Sequence, residues 1–250
     1  PRIVRAHQLG KPMFMLASEP GSGKTYVLGG VIRELQRLGA KKIVYVTLRE
    51  ELIKQVKNDL RDFADMRSVT FMTYPGMRAA KPVDSDVIIF DEAHSIKNVR
   101  EGSAGSQQAR AAATWIVQSK FSILASATPF ENPLEAQFMA PSGVFEPIFG
   151  SFYNFARAFG ATKYTTQDGR EHIAWLRTAT SDADAAAARQ YLMNAGMYVS
   201  RRIRLPKGQV DSRLSKIQAP DDAVLRYDAF TTAANNNKDK FKGFAPAWVI

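Results

Sequence analysis

Two short strings could do chemistry together: Ser18-Glu19-Pro20-Gly21-Ser22-Gly23-Lys24-Thr25 and, further along, Asp91-Glu92-Ala93-His94. The first is a glycine-punctuated turn between an apolar run, Met13 to Ala17, and a helix-like run from Tyr26 to Leu38. Gly21 and Gly23 let backbone N–H groups converge on an anion at a helix N-terminus, with Pro20 and Ser22 completing the cradle. Lys24 then reaches the β- and γ-phosphates of a nucleotide, and the Thr25 hydroxyl binds Mg²⁺. The strict pattern G-x-x-x-x-G-K-[ST] has Gly where Ser18 stands, so the match is one residue short.

The second string ends a continuous β-branched and apolar run, Val87 to Phe90, of the kind that forms a central parallel strand buried on both faces. Asp91 and Glu92 therefore stand at the C-terminal edge of a sheet, where open α/β folds bind ligands. Asp91 can hold the metal that bridges the phosphates, while Glu92 positions or deprotonates the attacking water. Without an upstream phosphate loop, the same pair reads as solvated acids capping a strand.

The elements that must position these strings are legible as an alternation over the first 140 residues. Met13 to Ala17 reads as a strand, and the helix after the loop stops at Gly39. Lys42 to Thr47 is a second strand, and Glu50 to Phe63 places Leu52, Ile53, Val56, Leu60 and Phe63 at helical spacing. Val69 to Thr73, the Val87 run and Phe121 to Ser126 are further strands. Strands alternating with helices predict an α/β fold, a parallel sheet flanked by helices. The texture changes near Pro141, Ser142 and Gly143, which sets an expected boundary between residues 1–140 and 141–250. Beyond it, aromatic residues from Phe145 to Phe159 read as packed core, Lys163 to Glu171 as an exposed loop, and Asp182 to Met197 as an alanine-rich helix.

Composition narrows the class. The 250 residues are 45% hydrophobic, enough for a proper core. There is no cysteine, so no disulfide framework or thiolate metal site exists, and His7, His94 and His172 lack ligand spacing. No signal-peptide layout or run of membrane-spanning length is present, so the expected setting is intracellular (cytoplasm, nucleus or host-cell interior), not secreted, with no membrane partner. The net charge of +10 suits a polyanionic partner, although the cations are spread along the chain and could equally be a solvated face.

These motifs resemble the N-terminal motor lobe of a superfamily-2 helicase, most closely the Swi/Snf-type DNA translocases. Arg5-Ala6-His7-Gln8 resembles the upstream segment whose glutamine, here Gln8, reads adenine. Ser18 to Thr25 is similar to the family's phosphate loop, in which a small residue commonly replaces the first glycine. Lys42 to Gln55, with Arg49, and Phe71 to Tyr74, with Thr73, resemble segments that meet a nucleic-acid backbone. Asp91 to Asn98 (DEAHSIKN) carries a DEAH box followed by Lys97-Asn98, a pair typical of Swi/Snf motors. Ser126-Ala127-Thr128-Pro129, followed by Asn132, Leu134 and Glu135, resembles the third motif, which with His94 couples nucleotide state to the rest of the motor. Ser-Ala-Thr is nearer helicase usage than the Thr-Gly-Thr of most Swi/Snf proteins. Tyr198 to Arg204, with Arg201 and Arg202, resembles the arginine pair that closes the lobe.

The resemblance implies a RecA-like P-loop fold with a mainly helical C-terminal extension, with ATP and Mg²⁺ bound. It implies a DNA-dependent ATPase that contacts double-stranded DNA through its backbone, Lys97, Asn98, Asn132, Arg201 and Arg202 among the candidate contacts. Such motors work with a second RecA-like lobe, in the same or another chain, that supplies an arginine finger. No second phosphate-binding fold is visible in the sequence, so the chain is expected to be part of something longer. Two alternatives stand beside the translocase: a strand-separating helicase or restriction or anti-restriction motor, and a non-catalytic nucleotide-binding switch or scaffold.

Overall fold

The computed structural model describes residues 1–97, 106–166, 169, 171–176, 178 and 180–201, and of Glu171 and Arg201 the backbone only. A short helix, α1 (Arg2–Gln8), leads into β1 (Met13–Ser18), every residue of which is buried. The loop that follows opens α2 (Lys24–Arg37), which ends at Gly39, a glycine in the left-handed region at φ 99°. Next come β2 (Ile43–Thr47) and α3 (Glu50–Leu60). Glu50 and Glu51 complement the positive end of that helix, and Ile53, Val56 and Leu60 face the core. Gly29 lets α2 and α3 approach, because a Cβ there would stand 2.5 Å from Leu60 Cδ2.

β3 (Val69–Thr73) runs directly into α4 (Tyr74–Ala79), whose first turn is capped by Thr73 Oγ1 accepting from the Gly76 N–H at 3.1 Å. β4 (Ser85–Asp91), α5 (Gln107–Val117) and β5 (Ser119–Ser126) follow. A stretch of 3₁₀ structure, Pro133–Ser142, leads to α6 (Glu146–Phe149) and α7 (Phe152–Ala158). The remaining elements are β6 (Thr162–Thr165), β7 (Glu171–Ala174), α8 (Ser181–Asn194) and β8 (Tyr198–Arg201).

Six strands form one parallel sheet in the order β3-β2-β4-β5-β1-β8. Side chains alternate between its faces. Met13, Met15, Val44, Val46, Ile88, Phe90 and Leu124 enter a core with Trp115, Phe138 and the aromatic group of Phe145, Phe152 and Phe155. Phe14, Leu16, Ile43, Tyr45, Val87, Ile89, Phe121 and Ile123 enter the other, beneath α1, α2 and α3. Burial on both faces explains the unbroken apolar strands. Because every strand points the same way, the residues that end them, Ser18, Thr47, Thr73, Asp91, Ser126 and Arg201, share one edge.

Within the expected exposed loop from Lys163 to Glu171, residues 163–165 and Glu171 are strand, β6 and β7 pairing antiparallel with Tyr164 opposite His172. All four β6 residues are exposed, so no apolar alternation announces the strand. β8 adds to the sheet edge by pairing with β1, Ser18 standing opposite Arg201.

At the opposite edge, Asp86 ties three strand starts together. Its Oδ2 accepts from the Lys41 and Lys42 N–H groups at 2.8 and 3.1 Å, and its Oδ1 from Lys120 Nζ at 2.8 Å. The Lys120 hydrogen bond, aided by the Lys41 N–H, lowers its pKa to about 2. A folded value below the unfolded one of about 3.9 stabilises fully above pH 5, and that stability is lost as pH falls from about 4 to about 2. Since the Asp86 side chain keeps 23% of its surface, solvent screening limits the contribution to about 1 kcal/mol. Asp86→Asn is expected to lower unfolding stability by that amount at pH 7 and by progressively less toward pH 2. Urea titrations across that range check this, and a gap independent of pH would contradict it.

Candidate nucleotide site

The loop between β1 and α2 is built on backbone that only glycine adopts easily. Gly21 and Gly23 lie at φ 73° and 78°, and a Cβ at either would meet nothing within 4 Å, so it is conformation, not crowding, that requires glycine here. The Ser22 N–H donates to Glu19 O at 3.2 Å, closing the turn. The Ser22 hydroxyl is buried without a hydrogen-bond partner, a condition that costs about 1–3 kcal/mol until something satisfies it. Lys24 opens α2, and its Nζ donates to Ser18 O at 3.1 Å across the mouth of the loop.

The acidic pair meets this loop. Lys24 Nζ stands 3.6 Å from Glu92 Oε1, with the lysine side chain 10% exposed and the glutamate 30%. Glu92 has φ 57°, which makes it the one non-glycine residue in the left-handed region among the described residues, a conformation costing about 1–3 kcal/mol. His94 Nδ1 lies 3.2 Å from Glu92 Oε2 and 3.5 Å from Ser126 Oγ. Ser126 Oγ accepts from the Thr128 N–H at 3.1 Å, so the acid box and the end of β5 form one polar chain.

Asp91 is gripped from both faces of the sheet. The Tyr45 hydroxyl, from the β2 side, donates to Asp91 Oδ2 at 3.1 Å. The Tyr74 hydroxyl, from α4 on the other face, donates to the Asp91 carbonyl at 2.9 Å. Burial pushes the Asp91 carboxyl above its ordinary pKa, the Tyr45 hydrogen bond opposes that rise, and the nearby Glu92 charge adds to it. Burial likewise pushes both phenols well above 10, leaving them donors.

Lys24, Thr25, Asp91, Glu92, His94, Ser126, Ala127 and Thr128 thus converge at the end of the sheet, with Pro20 to Gly23 beside them. Gln8 is not brought there. It ends α1, which joins the start of β1, and the neighbouring His7 ring packs 5.3 Å from Phe121 near the start of β5. A six-residue strand, about 20 Å of extended chain, separates that end of β1 from the loop.

The nucleic-acid candidates divide. Arg49 is exposed just past β2, on the same edge as the loop. Thr73 is spent on the α4 cap, and Lys97 Nζ turns 3.4 Å from Glu135 Oε2. Asn132 caps the 3₁₀ stretch by accepting from the Glu135 N–H, while Glu135 also accepts from Asn132 Nδ2 and the Glu131 N–H. Lys97 and Asn132 therefore brace the segments after β4 and β5 through Glu135. The Arg201 backbone ends β8 on the site edge; Asn98 and Arg202 lie outside the described residues. Sequence reasoning passed over Tyr45 and Tyr74, which reach Asp91 across a strand or from another element and carry no local signal.

Comparison with known proteins follows the same lines. Residues 2–78 match the family described as type III restriction enzyme, res subunit. The SWI2/SNF2 ATPase core of Sulfolobus solfataricus in complex with dsDNA is similar over 80% of this chain, with a TM-score of 0.55 and 19% identity. The Sulfolobus solfataricus SWI2/SNF2 ATPase core domain is similar over 94% of it, with a TM-score of 0.53 and 16% identity. This chain has the RecA-like fold of those ATPase cores. The family match covers residues 2–78 only, and at these identities the two structures show a shared fold. The chain spans 42% and 49% of the two solved Swi/Snf chains. No curated protein matches the sequence. Among the described residues no helix is long and apolar enough to cross a membrane.

Within this fold, the donor set suits a magnesium nucleotide. Thr25 and Asp91 offer the hard oxygen ligands that Mg²⁺ takes, and Ser22 offers an unsatisfied hydroxyl beside the phosphate cradle.

Proposed function

We propose that this chain is the ATP-binding lobe of a motor that couples ATP hydrolysis to movement along duplex DNA. The observation that carries this reading is the meeting of Lys24, from the phosphate loop, with Glu92, from the acid box, at 3.6 Å. Backbone N–H groups of the loop and Lys24 bind the β- and γ-phosphates, and Thr25 with Asp91 hold the magnesium ion. When bound, such an ion would offset the charge that develops on the phosphates. Glu92 orients the attacking water and takes its proton. His94, within reach of both Glu92 and Ser126, passes a change at the carboxylate to the loop after β5. A second RecA-like lobe faces this edge and supplies the arginine finger.

DNA is held through phosphates, without base readout, along the edge where Arg49 stands and the β8 backbone ends at Arg201. The dsDNA in the Sulfolobus complex and the net charge of +10 support this partner. A second reading, a restriction-type motor, is favoured by the family match over residues 2–78 and by the Ser126-Ala127-Thr128 wording; strand-displacement and triplex-displacement assays separate the two.

The test is titration with duplexes of unrelated sequence at rising salt. Affinity is expected to be the same for all of them and to fall steeply, by about tenfold or more between 50 and 200 mM salt, while duplex stimulates ATP hydrolysis. Salt-insensitive or absent binding moves the reading to a nucleotide-dependent switch or scaffold.

A further inference from the structure

Tyr45 lies at the middle of a central strand with none of its surface exposed. A phenol in that position buries a hydroxyl that must find a partner, and valine or isoleucine, like its neighbours in β2, would fill the strand without that demand. Its ring packs 5.4 Å from Phe71, which is itself covered by Lys57 Nζ at 5.1 Å, so the phenol has little freedom to turn. Its hydroxyl donates to Asp91 Oδ2 at 3.1 Å. A carboxylate is acceptor only, so the direction of this hydrogen bond is settled by chemistry.

We propose that Tyr45 is a positioning residue for the metal site, holding Oδ2 of Asp91 so that Oδ1 faces the ion. The inference rests on the magnesium-nucleotide reading given above. Tyr74 completes the arrangement. Its hydroxyl binds the Asp91 carbonyl at 2.9 Å from the opposite face, fixing the main chain where β4 ends and the backbone turns into the left-handed region at Glu92. Asp91 is therefore fixed at two points, its side chain by one phenol and its backbone by the other, before any ion arrives. Such outer partners orient a ligating group and typically change metal affinity about 10- to 100-fold when removed.

Tyr45→Phe keeps the ring and its packing and deletes only the donor. The experiment measures Mn²⁺ affinity by electron paramagnetic resonance of free Mn²⁺, in protein saturated with the non-hydrolysable analogue AMP-PNP. It is done for the wild type, Tyr45→Phe, Asp91→Asn and the double variant. Tyr45→Phe is expected to weaken Mn²⁺ binding about tenfold and to leave metal-free AMP-PNP affinity unchanged. In the Asp91→Asn background the same substitution is expected to change Mn²⁺ affinity by less than about twofold, because its route to the ion is already cut. Wild-type affinity in Tyr45→Phe overturns the inference, as does an equal loss in both backgrounds, which would mark a general packing role. A wild type that binds no Mn²⁺ with AMP-PNP overturns the nucleotide reading, and this inference with it. Should Tyr45→Phe not fold, 3-fluorotyrosine at position 45 gives a second readout. Its fluorine resonance is expected to move when Mg²⁺ is added to the AMP-PNP complex and to stay fixed in Asp91→Asn. A resonance indifferent to Mg²⁺ in the wild-type background overturns the inference.

Discussion

Glu92→Gln is expected to bind ATP with near wild-type affinity and to hydrolyse it about 10²- to 10⁴-fold more slowly, the range that a positioned general base contributes. The substitution keeps the shape of the side chain and one acceptor oxygen. What it removes is the charge that pairs with Lys24 at 3.6 Å and, in the proposed mechanism, the group that takes the water's proton. Single-turnover hydrolysis with nucleotide binding measured in parallel separates the two effects. A rate near wild type would show that the carboxylate has another role. The backbone supplies a control that most catalytic acids lack. Because Glu92 sits at φ 57°, Glu92→Gly removes the carboxylate and relieves the left-handed conformation at once, so it is expected to be as inactive as the glutamine variant. Its melting temperature should not fall, since relief of about 1 kcal/mol or more offsets the entropy cost of glycine. A protein that gains or keeps stability as it loses turnover marks a strained residue retained for chemistry.

What could be read from the sequence was whatever depends on neighbours along the chain. The phosphate loop is local: its glycines, its lysine and the flanking strand and helix are contiguous, and Gly21 and Gly23 take the positive φ that their spacing implies. The buried strands were legible because both faces of a parallel sheet are covered, which turns them into runs such as Val87 to Phe90. Partners brought together only by tertiary structure were not legible. Tyr45 and Tyr74 look like ordinary core aromatics until the sheet sets them against Asp91 from opposite faces. Lys97 and Asn132 look like free polar groups until Glu135 engages both. Gln8 matched a motif by type, but a helix that hands over to the start of β1 puts its last residue at the wrong end of that strand. The β6–β7 pairing escaped because all four residues of β6 are exposed and leave no apolar period-two trace.

Lys24→Ala is expected to act one step earlier than Glu92→Gln, on binding itself. Lys24 is already posed: its ammonium donates to Ser18 O at 3.1 Å and faces Glu92 at 3.6 Å, with only a tenth of its side chain exposed. Little rotamer freedom is left to lose when a phosphate takes the place of the carboxylate as its partner, so most of the new charge-assisted hydrogen bond appears as affinity. Removing it should cost about 1.5–3 kcal/mol, roughly a 10- to 150-fold weaker grip on ATP. The loss should shrink for AMP, which lacks the β- and γ-phosphates that the proposed mechanism assigns to the lysine. Calorimetric titration with ATP, ADP and AMP makes the distinction, because a lysine that merely stabilised the loop would weaken all three alike. The variant also leaves Glu92 with His94 as its remaining partner at 3.2 Å, so hydrolysis should fall by more than the binding loss alone predicts. ATP affinity equal to wild type, at any turnover, would remove Lys24 from the phosphate site and with it the basis for reading this edge of the sheet as a nucleotide site.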